Sequence, residues 1–545
     1  MTKNRLLALL LAAVFLFAFS GCGDKTAGQI FKYDIPSGVH NLDPQFATDS
    51  TARMIIQNTF EGLFRQLPSG EIEPCLAESY EVSADGLTHT FHLRRDAAWG
   101  NAKLPRAVRE AYNGTPVTAH DFVFALSRMF NPTAPSPFAG SFSSIKNAEL
   151  IRRGAAPMDS LGVRATDDYT LEITLIRQDS LLPELLAASY AMPCNEDFFR
   201  STKARYGLDL KSLLFNGPFG VTSWDNESAV TLRQNAFYSS PDPVIAGGVN
   251  LYIQPGSPEA PADPVGRFLA GSTDACKVNY GALPAVLGAD GAYESFEDVV
   301  WVLAFNCRDE ALANAEIRRA LAYAIDRKLF DQYLPENLRV SEMLVLPAVS
   351  LLGESFRTFA GENSELLYSP HLAKQNFASG LEDLGLEKIP LSEILVPDTY
   401  NLPLLTGFVQ QGWQKNLAVY TGLVKLSEAE LLARVASGNY SAAILPLSAS
   451  YSSPGAVLAD FSSASTQNLT GYGNADFDTL LAATASLSGQ EAYEVYAQAE
   501  EMLLYDAPII PLFFETSYYA MGPDVSGIEF SPFLSGVYFK YARKK

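Results

Sequence analysis

Two stretches alternate apolar and polar residues with the two-residue period of a half-buried strand. In "LTHTFHLR", Leu87 to Arg94, the residues Leu87, Phe91 and Leu93 share a face. In "YTLEITLI", Tyr169 to Ile176, the shared face is Tyr169, Leu171, Ile173 and Leu175. Asp85-Gly86 and Asp167-Asp168, immediately before them, supply turn chemistry. Elsewhere the period is helical. "NAEIRRALAYAIDRKLF" predicts a helix over Asn314 to Phe330 with Ile317, Leu321, Ala324 and Ile325 on one stripe. "EAYEVYAQAEEMLLYD", Glu491 to Asp506, predicts another, stopped by Pro508. The Pro-rich "QPGSPEAPADPVG", Gln254 to Gly266, reads as a surface connection. Strands and helices alternate throughout, which predicts an α/β fold, and no internal repeat interrupts them.

One apolar run has no period. Leu6–Phe19, "LLALLLAAVFLFAF", follows Lys3 and Arg5 and precedes "SGCGDK". Its fourteen residues would rise only about 21 Å as a helix, short of a hydrocarbon core of about 30 Å. A basic start, a short apolar run and small residues read as an export signal over 1–21. The Ser20-Gly21-Cys22 ending resembles a bacterial lipobox, with Phe19 where leucine is usual. That resemblance implies acylation of Cys22, a tether over 22–27, and attachment to the membrane with the protein facing the extracellular or periplasmic side.

The 545-residue chain is long enough for two or three domains. Its 61 acidic residues against 40 basic ones give a net charge of −21, which would repel a phosphate backbone and excludes nucleic acid as a natural partner. Cys75, Cys194, Cys276 and Cys307 have no CxxC spacing, so neither a zinc site nor a dithiol centre is indicated. Disulfides and buried free thiols both remain open. Of the five histidines, His89 and His92 lie three apart on a strand and point to opposite faces, so they cannot chelate one metal. HExxH, Walker, GxSxG and Rossmann patterns are absent from the sequence. The residues make no case for an enzyme, a metal or a cofactor.

Longer phrases carry more. "PCLAESYEVSADGLTHTFHLRRDAAW", Pro74 to Trp99, and "NGTPVTAHDFVFALSRMFNP", Asn113 to Pro132, resemble the bacterial extracellular solute-binding proteins of the oligopeptide/dipeptide/nickel class. The resemblance spans nearly the whole chain. It includes "NLDP" at Asn41, "TFEGL" at Thr59, "NGPFGVTSW" at Asn216, "LAFNC" at Leu303, "QGWQKNLAV" at Gln411, "YGNADFDTLL" at Tyr472 and "APIIPLFF" at Ala507. Most of these positions read as core, strands and turns.

The resemblance implies a periplasmic-binding-protein-like fold of two α/β lobes joined by crossing hinge strands, with a solute enclosed between them. Lobe I would comprise 28–297 and 508–545, with an extra subdomain at 56–160, and lobe II would run over 298–507. "AKLPRAVREAY", 102–112, departs from the family phrase as an insertion, expected on the surface of the subdomain. The implied partners are ABC permease and ATPase subunits and a peptide or related solute, with the receptor a monomer. A receptor for signalling peptides and a binder of a non-peptide solute such as an oligosaccharide remain alternatives.

Peptide-binding relatives pair main-chain groups with the ligand and hold its free ammonium with one aspartate in a phrase like "GW.ADY.DP". Here that phrase aligns with "PLSASYSSP", Pro446 to Pro454, inside a stretch from Val435 to Ala459 without a charge. Ser450 stands in place of the aspartate, and a hydroxyl cannot neutralise an ammonium. The expectation is that a free peptide N-terminus is not the main handle. A shifted alignment would instead use Asp460. The resemblance places Val39, His40, Asn41 and Leu42 of lobe I against Ser448, Ala449, Ser450 and Tyr451 of lobe II as ligand-binding residues. Asn306 and Trp413 are further candidates, and for Trp413 the lobe II core is the favoured reading of the residue.

Overall fold

The chain was described with a computed structural model, which covers residues 28–254, 262–289, 291–351, 354–361, 366–399, 401–465, 467–487, 489–533 and 536–545. The export signal, the tether and Cys22 lie outside the described residues, as do 255–261 of the Pro-rich stretch. The rest of that stretch is not all connection, because Pro264 opens a short helix, Pro264–Leu269, capped by the Asp263 side chain.

An eleven-stranded sheet forms the spine. In spatial order its strands are Gly422–Leu426, Glu393–Pro397, Ala442–Leu447, Ala292–Phe305, Ile509–Met521, Ala275–Val278, Ile30–Ile35, Gly248–Ile253, Ala229–Gln234 and Phe219–Asp225, with Leu338–Val340 added on Ile509–Met521. The two longest strands, Ala292–Phe305 and Ile509–Met521, pair antiparallel and run through both halves of the molecule. At one end Ile509–Met521 pairs with Ala275–Val278, and at the other Ala292–Phe305 pairs with Ala442–Leu447. The register shifts by one residue between Glu297 and Val299, so Asp298 is a bulge between the two ends.

On the far side of this bulge "VVWVLAF" is a continuous apolar run because both of its faces are covered. Val300, Val302 and Ala304 join one hydrophobic cluster and Trp301, Leu303 and Phe305 another. A separate cluster around Phe31, Phe60, Trp99 and Phe219 fills the first half of the molecule. A layered α/β architecture follows, with one core in the first half and one on each face of the sheet in the second.

The expected strands are present. Thr88–Leu93 and Thr170–Thr174 are central in a four-stranded antiparallel sheet with Ala77–Val82 and Val163–Asp167. Phe91, Leu93, Leu171 and Ile173 are buried. The family phrases resolve into local chemistry. In "VTAHD", Thr118 and Asp121 form a capping box on helix Ala119–Met129. In "NGPFG", Asn216 binds the backbone N–H and C=O of Glu61 at 3.1 and 2.8 Å, tying that phrase to "TFEGL". A Cβ on Gly217 would come within 2.6 Å of the Phe60 backbone nitrogen, so only glycine fits this crossing. The insertion forms the helix Arg106–Tyr112, none of whose residues is buried.

The helix expected over Asn314 to Phe330 ends early. It covers Ala315–Tyr323 with Asn314 as its cap, and a separate 3-10 turn spans Arg327–Leu329. Asp326 diverts the backbone by capping that turn itself. The freed carbonyls find partners on helix Leu402–Leu417: Trp413 Nε1 donates to Leu321 at 2.9 Å and Asn416 to Ala324 at 3.3 Å. The second expected helix is complete, spanning Gly489–Asp506. The four cysteines of the described chain are free.

Candidate functional site

The first half of the molecule touches the second directly. Ser180 gives its backbone N–H to Ala485 and its hydroxyl to Thr484. The Ser350 hydroxyl donates to the carbonyl of Ser69 at 2.9 Å, and Ser452 brackets Ser350 through both backbone polar atoms. The molecule is therefore in a closed form.

Behind these contacts lies a small cavity of about 30 Å³, room for roughly two water molecules. Arg53, Gln57, Gln66, Glu184, Ser189 and Tyr190 line it from the first half, and Ser450 and Tyr451 from the second. Helix Ser50–Thr59 carries Arg53 and Gln57. It is started by Asp49 and held by a buried face of Met54, Ile55 and Ile56. Glu184 sits in the short helix Leu182–Ala187, whose Leu182, Leu185 and Leu186 are buried. Ser450 and Tyr451 follow the buried strand Ala442–Leu447 and are positioned by the fully buried Ala449 between them and the strand.

The electrostatics of the cavity are unusual. Oε2 of Glu184 and Nε of Arg53 are buried without a hydrogen-bond partner. Burial pushes the Glu184 carboxyl up to about 7 and lowers the Arg53 guanidinium from its ordinary value.

Of the residues expected to touch ligand, Ser450 and Tyr451 are in the lining. Ser448 is half-buried beside them in sequence. Val39, His40, Asn41 and Leu42 are not in this lining and have partners elsewhere. The Val39 carbonyl accepts from Trp224 Nε1 at 2.8 Å, and the exposed His40 ring lies 3.2 Å from the Asn226 amide. Asn41 caps the backbone of Asp43, and Leu42 donates its N–H to Gly207. The segment is then fastened by Asp43, whose carboxylate pairs with the buried Arg128.

Trp413 and Asn306 belong to the interior of the second half. Trp413 is 0% exposed and stacks on Phe305. The Asn306 amide donates to the carbonyls of Gly438 and Tyr440 at 3.2 and 2.9 Å. Neither lines the cavity. Asp460, in the 3-10 turn Ala459–Phe461, is outside the lining as well.

Arg53 and Glu184 had escaped the sequence reading. A signal was there: in "LLPELLAASYAM", Glu184 is the single charge between Asp179 and Glu196. A lone carboxylate in an apolar run has to face either solvent or a polar site.

The sequence profile of the bacterial extracellular solute-binding proteins, family 5, matches residues 71–468. The chain belongs to this family. The oligopeptide-binding protein OppA of Bacillus subtilis is 27% identical over 567 residues, covering 99% of both chains. The probable deoxycholate-binding periplasmic protein YgiS of Escherichia coli is 27% identical over 513 residues, covering 92% of this chain and 90% of that one. In fold, the substrate-binding domain of an oligopeptide ABC transporter from Bacillus anthracis superposes with a TM-score of 0.76 at 24% identity, over 95% of this chain and 99% of that one.

Family membership accounts for the long phrases. Among the described residues no helix is long and apolar enough to cross a membrane, and no cluster of His, Cys, Asp and Glu is placed to hold a metal ion.

Proposed function

We propose that this chain is the lipid-anchored, monomeric solute receptor of an ABC importer, capturing a peptide or related solute between its lobes and delivering it to a permease. The observation that carries this reading is a cavity lined by residues of both halves, in a molecule whose halves are connected by two crossing strands with a bulge between them. The moving bodies are lobe I, 28–297 with 508–545, including a subdomain over 56–160, and lobe II, 298–507. Closure about Asp298 commits the solute, and ATP hydrolysis belongs to partner subunits. Cys22 supplies the acyl anchor on the outward face of the membrane. The peptide assignment is supported by relatives such as the oligopeptide-binding protein of Bacillus subtilis.

A second reading, a non-peptide solute, has its own support. Ser450 supplies no charge, and one relative carries the description deoxycholate-binding. The two readings separate in a thermal-shift screen of the full chain against randomised pentapeptides, oligosaccharides and deoxycholate. A ligand at a hundred times its dissociation constant stabilises by about 2.7 kcal/mol, which shifts the melt visibly. A shift with peptides alone supports the importer of peptides, and one with sugar or bile acid alone replaces it. Replacing Cys22 by alanine should release the protein from the membrane fraction.

A further inference from the structure

One end of the eleven-stranded sheet gathers three parts of the chain that the solute cavity does not use. Ile30, Gly248, Gln234 and Phe219 lie there, at the matching ends of four neighbouring strands. The chain from Cys22 joins the molecule at this end, through Gly28. The C-terminal strand Arg543–Lys544 lies against the junction. Lys544 gives its backbone N–H to the Gln29 side chain at 2.8 Å and its ammonium to the Ile30 carbonyl at 2.9 Å. The neck of the insertion is at the same end. The Asn235 amide and the Gly100 N–H both donate to the Phe215 carbonyl, at 3.2 and 2.9 Å, and Asn113 Oδ1 accepts from the Asn101 N–H at 2.9 Å.

This end carries exposed cations: Lys103, Arg106 and Arg109 from the insertion, and Arg543 and Lys545 from the C-terminal segment. Arg106 pairs with Glu110 at 2.8 Å, an exposed contact of little strength. The other four form no ion pair among the described residues. The acids interleaved with them, Glu110, Asp242 and Asp524, are fewer, in a chain whose net charge is −21. An exposed charge run is ordinarily a solvated face. Here its sign is opposite to that of the whole molecule, and it surrounds the root of the tether.

We propose that this end of lobe I is a membrane-facing surface that docks on anionic lipid headgroups through Lys103, Arg106, Arg109, Arg543 and Lys545. This rests on the lipid-anchored reading above. A tether over 22–27 reaches at most about 20 Å, so the end stays close to the bilayer. The same headgroups attract these cations and repel the acidic remainder, which turns this end toward the membrane. Orientation is the gain, because the acyl anchor already supplies retention.

The test uses the full chain with its anchor, reconstituted into phosphatidylcholine vesicles and into vesicles one third phosphatidylglycerol. A fluorescent amino acid at the exposed Ala107 donates energy to a labelled headgroup, and one at the exposed Leu432 of lobe II serves as control. Transfer from position 107 is expected to be at least twofold higher on the anionic vesicles, with no such rise from 432, and high salt should remove the difference. Lys103→Glu with Arg109→Glu should return transfer to the phosphatidylcholine level. Arg543→Glu with Lys545→Glu should lower it independently. Equal transfer on the two vesicles, or charge-reversed variants that behave as wild type, overturns the surface and leaves the anchor standing. A chain that stays with neither vesicle removes the anchor reading, and the surface with it.

Discussion

Ser180 donates its backbone N–H to the carbonyl of Ala485 at 2.8 Å, and the two residues belong to opposite halves of the molecule. Each such hydrogen bond contributes only about 0.5–1.5 kcal/mol net. Together with the bonds from the Ser180 hydroxyl to Thr484 and from Ser350 to Ser69, it forms a thin seam between the halves. A seam this light suits a molecule that must reopen.

Gly70 tests the seam. Its φ is +89° and a Cβ there would lie 2.3 Å from the Ser452 hydroxyl oxygen, across the interface. Gly70→Ala therefore adds a collision that exists only when the lobes are closed, on top of a backbone strain common to both forms. The expected result is a shift toward the open form and an apparent peptide affinity about tenfold weaker, equivalent to about 1.4 kcal/mol. Small-angle scattering at peptide concentrations that close the wild type would show the variant still expanded. A variant that closes normally rules the seam out.

What the sequence revealed and what it hid follow from the range of each interaction. Asp85-Gly86 and the alternation of Thr88–Leu93 are set by neighbours within a few residues, so they read correctly. The helix from Asn314 stops at Tyr323, where Asp326 caps a turn of its own, and the carbonyls left free are met by Trp413 and Asn416, ninety residues away. Ser450 was visible as a departure from a family phrase. Arg53 and Glu184 were not, because they share a lining with Ser450 only through the packing of one lobe against the other.

Asp298 sits at the bulge of the crossing strands, 6% exposed, with one carboxylate oxygen lacking a partner. Burial pushes its carboxyl up from 3.8 to about 6. A raised folded value means that the folded state holds its proton more tightly than the unfolded chain does. Its contribution is therefore fully present below pH 3.8 and lost as pH rises through 6. Asp298→Asn, which cannot ionise, should be more stable than wild type at pH 8 by about 1–2 kcal/mol and show no advantage at pH 4. Urea unfolding at the two pH values measures this; an advantage independent of pH would mean that charge is not the cause.

The Glu500–Arg357 pair is buried in the second half. One oxygen of Glu500 accepts the backbone N–H groups of Leu344 and Val345 at 2.9 and 2.7 Å, and the other meets the guanidinium of Arg357. Glu500→Ala strands a cation and two backbone donors at once. Loss of one partner of a buried pair costs about 3–5 kcal/mol, and denaturant midpoints should fall accordingly. Removing both partners, in Glu500→Leu with Arg357→Met, should cost less than Glu500→Ala alone, because no charge is then left behind.

Trp413 can be assigned by separating stability from binding. Its ring is fully buried against Phe305, and its single N–H holds Leu321, so the structure gives it a packing role at a helix end. Trp413→Phe keeps an aromatic ring but removes the donor and part of the volume. Leaving one buried carbonyl unsatisfied costs about 1–3 kcal/mol, with a further cavity contribution that depends on how far the site collapses. The expected outcome is a lower melting temperature with an unchanged peptide dissociation constant, measured on the same sample well below the transition. A residue that touched ligand would behave oppositely, losing affinity out of proportion to its loss of stability. That result would return Trp413 to the binding surface and require the second lobe to open further than the closed cavity indicates.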